Sequence, residues 1–100
     1  MIKHIVMFKL KEANGKSAVE NAKEAQAMAA QLKDVIPTLE KIEAVCNTSQ
    51  ADQSNYELAL ICDFKDMEGL NAYQTHPAHL KFGEFISRIR ESRACIDYEY

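Results

Sequence analysis

The chain has 100 residues, 47% apolar and 27% charged, the length and balance of one soluble globular domain with a single core. Twelve Lys and Arg against fifteen Asp and Glu leave a net charge of −3, which argues against nucleic acid or an anionic membrane as main partner. No apolar run approaches the ~20 residues of a membrane span, and Lys9 and Lys11 follow the apolar start too closely for a signal peptide.

Residues 2 to 10 alternate as a first strand, with Ile2, His4, Val6, Phe8 and Leu10 on one face and Lys3, Ile5, Met7 and Lys9 on the other. Asn14-Gly15 breaks the chain. Ser17 and Glu20 then have capping-box spacing, which predicts a helix from there to about residue 34. Its inner stripe is Ala18, Ala22, Ala25, Ala29, Leu32 and Ile36, mostly small side chains that permit close approach to whatever they cover. Pro37 ends the element, because it lacks an amide hydrogen and disfavours a helical residue before it.

A second strand is expected over residues 39 to 47, and the polar run Asn47 to Asn55 reads as an exposed loop. Tyr56, Leu58, Leu60, Cys62 and Phe64 alternate with Glu57, Ala59, Ile61 and Asp63 in a strong third strand. Asp66 is placed to cap a short helix carrying Met67, Leu70 and Tyr73. His76-Pro77 interrupts it, and Pro77 suits the first turn of a new helix. That helix has Phe82, Phe85, Ile86 and Ile89 as its apolar stripe, with His79 on the same stripe. A last strand is expected over Ser92 to Tyr100, with Ala94, Ile96, Tyr98 and Tyr100 opposed to Arg93, Cys95, Asp97 and Glu99.

The order β-α-β-β-α-β predicts one α+β domain over residues 1–100 with the ferredoxin-like arrangement: a four-stranded antiparallel sheet with its helices on one face. Ile5, Met7, Ala59 and Ile61 then sit on the second face, which no helix of the chain covers. Exposed apolar surface costs about 25 cal/mol per Å², so a second copy laid against that face, a homodimer, is the expected partner. Cys46, Cys62 and Cys95 are odd in number, far apart and free of any C-x-x-C spacing. They read as small buried hydrophobes of a cytoplasmic protein rather than a disulfide or metal framework.

The strand order is shared with RNA-recognition modules, but the third strand lacks their basic, Gly-containing signature. Arg88, Arg90 and Arg93 are the only local basic cluster and read as a solvated helix face. Glycines at 15, 69 and 83 are too scattered for a phosphate loop. Chemistry therefore falls to the histidines. His4, Tyr73 and His79 all point to the layer between sheet and helices, where an imidazole can take a proton near neutral pH and a phenol can donate to a developing enolate. Three readings stay open: proton abstraction beside a carbonyl, a hydrogen-bonded core, and a metal held by His4, His76 and His79. Pro77 spoils the single-helix geometry of the third, so no metal ligand is assigned.

Lys3-His4-Ile5-Val6-Met7-Phe8-Lys9-Leu10, Phe64, the run Leu70-Asn71-Ala72-Tyr73-Gln74-Thr75-His76-Pro77-Ala78-His79 and Ser92-Arg93-Ala94-Cys95-Ile96-Asp97-Tyr98 together resemble the stress-responsive A/B barrel, or Dabb, family. The likeness spans nearly the whole chain in order, and Tyr-x-x-His-Pro-x-His is its most specific part. The resemblance implies two ferredoxin-like sheets joined in a dimeric α+β barrel. A plant branch of the family includes a polyketide cyclase that closes an aldol ring without metal or cofactor. Its pocket residues match His4, Tyr73 and His79 here, with His79 in the place of the base and His76 between. Together with Phe8 and Phe82 beside them, these residues form the expected ligand set, for a small carbonyl compound and no cofactor. The competing expectations are a non-catalytic stress-related binding or structural module, and a cofactorless monooxygenase of the wider dimeric-barrel group.

Overall fold

The computed structural model describes residues 1–100. In chain order the elements are β1 (Ile2–Leu10), α1 (Ala18–Ala30), α2 (Leu32–Val35), β2 (Lys41–Cys46), β3 (Leu58–Phe64), α3 (Met67–Thr75), α4 (Pro77–Ile89) and β4 (Arg90–Glu99). The strands form one antiparallel sheet in the order β2-β3-β1-β4, with β1 and β3 central, as the ferredoxin-like expectation required.

Local chemistry explains where the elements start. Asn14 and Gly15 both take positive φ, closing a tight turn that bridges Ala13 and Lys16. The buried Asn21 amide donates to the Lys11 carbonyl at 3.0 Å and ties that turn to α1. Ser17 and Glu20 form the capping box, each side chain holding the other's backbone amide. Asp66 caps α3 by accepting from the Gly69 amide at 2.8 Å.

The predicted single helix to residue 34 is two. After Ala30 the backbone tightens to i→i+3 bonds, Gln31 N–H to Met28 O and Asp34 N–H to Gln31 O, each 3.2 Å. The tightened turn lets Leu32, Ile36 and Leu39 all enter the core at 5% exposure or less.

The core is a sandwich of sheet and helices. Val6, Leu58, Leu60 and Phe64 from the sheet meet Ala25, Ala29, Leu70, Phe82, Ile86 and Ile89 from the helices. Ala25 and Ala29 are fully buried, and α1 lies close over β2, where the Gln26 amide donates to the Ala44 carbonyl at 2.9 Å.

β4 departs from expectation. Its register sets Asp97 opposite His4 and Cys95 opposite Val6, so Arg93, Cys95 and Asp97 share the helix side of the sheet. That side of the edge strand is uncovered, and Cys95 is exposed rather than buried; only Cys62 is fully buried and Cys46 partly so. Arg90 and Arg93 belong to β4 and not to a helix face, whereas Arg88 remains on α4, paired with Glu84 at 2.6 Å. On the far face Met7, Val45, Ile96 and Tyr98 are 38 to 60% exposed, and Ile5 and Ile61 are half-buried between them. This apolar band runs across all four strands. No helix is long and apolar enough to cross a membrane.

Candidate functional site

Three elements converge between the sheet and the C-terminal helices. β1 alternation turns His4 inward, where it is 2% exposed. The Asp66 cap fixes the phase of α3 so that Tyr73 points into the core, at 1% exposure. His79 sits in the first turn of α4, half-buried. The Tyr73 ring lies between the two imidazoles, its centre 6.3 Å from His4 and 4.5 Å from His79.

Each imidazole is held by its Nδ1. His4 Nδ1 hydrogen-bonds the Asp97 carboxylate from the facing strand, and since a carboxylate can only accept, Nδ1 carries the proton. His79 Nδ1 donates to the Gln74 carbonyl at 3.1 Å. Whenever such a ring is neutral, Nε2 is therefore the atom with the free lone pair. Burial pushes the His79 imidazolium to ionise more readily than usual, with His4 and Arg93 adding to the effect against the opposing Gln74 carbonyl. The ring is neutral at pH 7 and able to accept a proton.

Burial raises the Tyr73 phenol well above its ordinary range, so it stays protonated and keeps a hydroxyl hydrogen to donate. Its polar neighbour is the Cys62 thiol, itself pushed up to about 12, chiefly by burial. A thiol is a weak acceptor, which leaves the phenol free for a stronger one.

Beside these side chains lies a cavity of about 190 Å³. His4, Phe8, Tyr73, His79 and Phe82, all named from the sequence, line it together with Val6, Leu60 and Ile86. Gln74, Gly83, Arg90 and Arg93 complete the wall and were not anticipated as site residues. The cavity is smaller than the ~300 Å³ typical of drug-sized sites. It exceeds the ~150 Å³ that suffices for one benzene ring. A larger, more open hollow of about 420 Å³ is lined by other residues, among them Met1, Asp66 and Asp97.

His76 departs from the expected ligand set. It closes α3 and caps α4, its Nδ1 accepting from the Ala78 amide at 3.0 Å, and it does not line the cavity. The same bond removes it from any three-histidine metal set. A carboxylate partner for a histidine, which the sequence did not suggest, is instead supplied by Asp97.

The model of the family described as Stress Responsive A/B Barrel Domain matches residues 2–100. The chain belongs to the Dabb family. Among solved structures, a dimeric protein of unknown function and ferredoxin-like fold from Bacteroides fragilis is 30% identical over 99% of this chain and 95% of its own, with a TM-score of 0.83. A dimeric ferredoxin-like protein of unknown function from Jannaschia is 27% identical over 99% and 98%, at 0.75. A hydroxynitrile lyase from Passiflora edulis shares the fold at 16% identity, over 97% and 90%, at 0.77. No curated protein matches. Two of these structural relatives are thus described as dimeric, in accord with the open apolar face of this sheet.

Proposed function

We propose that this Dabb protein is a homodimer joined through its open sheet face, and that each subunit binds a small carbonyl compound on which it performs proton transfer. The observation that carries the reading is the pair of imidazoles at one cavity, each fixed through Nδ1 with Nε2 free, and the un-ionised phenol between them. His79 takes a proton from the carbon next to the carbonyl. Tyr73 donates a hydrogen bond to the oxygen as it becomes an enolate. Asp97 orients His4 and stabilises the positive charge that His4 gains when Nε2 takes the second proton and loses when it returns it. These side chains suffice for enolisation, isomerisation or aldol closure.

The cavity volume limits the reacting part of the substrate to about one ring. Arg90 and Arg93 at the wall favour a substrate bearing a carboxylate or phenolate. That a protein of this fold is a hydroxynitrile lyase supports a catalytic use of the scaffold.

The test is ligand-observed NMR with a panel of one-ring ketones and aldehydes, with and without a carboxylate. Gly83 lines the cavity and an added Cβ there would meet nothing within 4 Å, so Gly83→Leu fills the space without displacing backbone. Expected are line broadening with the native chain and its loss in Gly83→Leu. Broadening that survives the substitution, or none with any compound, refutes the reading. Binding that persists in His79→Gln with no turnover in either protein favours a binding module.

A further inference from the structure

From the side chains around the outer edge of His4, we infer a zinc-binding site formed by His4 Nδ1, the Cys95 thiolate and the Asp97 carboxylate. The three ligand atoms lie within 4.8 Å of one another. Cys95 Sγ is 3.5 Å from His4 Nδ1 and 3.9 Å from Asp97 Oδ1. Around a tetrahedral Zn²⁺ with ordinary bond lengths, neighbouring ligand atoms stand ~3.4–3.6 Å apart. Two of the three edges are thus close to the required size already. The third, between His4 and Asp97, is a direct hydrogen bond and opens when the Asp97 side chain, 35% exposed, swings aside.

Strand geometry places the set. Asp97 faces His4 directly across the β1–β4 pair, and Cys95 is two residues away on the same face. His4 is anchored in the core, while Cys95 and Asp97 are open to solvent on the uncovered side of β4. An ion can enter from that side and keep water as its fourth ligand. One thiolate, one imidazole and one carboxylate suit zinc better than magnesium or calcium, which prefer oxygen alone.

Binding releases the Cys95 thiol proton to solvent. It also displaces the proton from His4 Nδ1, and the neutral ring regains one at Nε2. That atom changes from a proton acceptor to a donor, so zinc would silence His4 as a base. This consequence rests on the proton-transfer reading; the binding itself does not.

The experiment is titration of the full chain with ZnCl₂ by calorimetry, and with Co²⁺ as a spectroscopic probe of thiolate ligation. Expected are one ion per chain, a thiolate-to-cobalt absorption band, and a shift of the His4 ring ¹⁵N signals on zinc addition. Cys95→Ala, which alters an exposed side chain, removes the band and weakens zinc binding at least about tenfold. Cys46→Ala leaves both unchanged. No binding up to the millimolar range, or equal affinity and an intact band in Cys95→Ala, overturns the inference. Failure of carbonyl binding with these results intact would overturn only the proton-transfer reading.

Discussion

His79 carries the sharpest consequences at the scale of single residues. Its folded-state pKa lies below the ordinary 6.5, mainly because burial disfavours the charged ring. Just below that value the unfolded chain binds more protons than the folded one, so stability rises with pH through this window. Above the window His79 contributes no pH dependence. Melting temperatures of the native chain and His79→Gln, compared from pH ~5 to ~8, should diverge on the acid side. The native chain loses more as pH falls below 6.5, and equal slopes would contradict the burial argument.

Asp97 has a different signature. Asp97→Asn keeps a hydrogen-bonding side chain next to His4 but removes the charge that fixes its proton on Nδ1. Activity should fall at least about tenfold while stability changes little, since Asp97 is partly exposed. A turnover assay beside a thermal melt separates the two effects. His4, Tyr73, His79, Phe8 and Phe82 were legible in the sequence because helix and strand periodicities aim them at one layer. Asp97, Arg90 and Arg93 were not. Their place depends on a pairing of β1 with β4, strands at opposite ends of the chain, and local pattern does not set such a register.

Most elements announce themselves through their ends. The Ser17–Glu20 box, the Asp66 cap and the His76-Pro77 junction appear where the side-chain chemistry requires them. Asp66→Ala should cost about 1 kcal/mol by denaturant unfolding, because the Gly69 amide loses its acceptor. A loss below a few tenths would mean that α3 is held by packing alone. Gly83→Ala should stabilise by ~0.5–1 kcal/mol, since its helical site has open space for a methyl group. The break at Gln31 was invisible beforehand. The stripe of Ala22, Ala25, Ala29, Leu32 and Ile36 continues across it, so hydrophobic spacing alone could not reveal the tightened turn.

At the scale of the whole molecule, the proposed dimer rests on the open sheet face. Ile96 is 60% exposed in the single subunit, where it faces Ile5 across the β1–β4 pair outside the buried core, so a polar residue there costs the fold little. Ile96→Asp should nonetheless halve the mass measured by sedimentation equilibrium, because it buries an unpaired charge at the subunit contact. A native chain that sediments as a monomer would contradict the assembly. The face was legible from the alternation of β1 and β3, to which the structure adds Val45, Ile96 and Tyr98 from the edge strands. The cavity was legible as a meeting point but not in size, since its volume depends on how Phe82, Ile86 and Arg93 fill the space above the sheet.

Hydrogen–deuterium exchange tests the central claim most directly. Small ketones and aldehydes are incubated in D₂O with the native protein or with His79→Gln, and loss of the protons next to the carbonyl is followed by ¹H NMR. Proton abstraction at the cavity requires faster exchange with the native protein, reduced at least about a hundredfold in the variant while its fold remains intact. Exchange no faster than in buffer for every compound, or equally fast with His79→Gln, would contradict it.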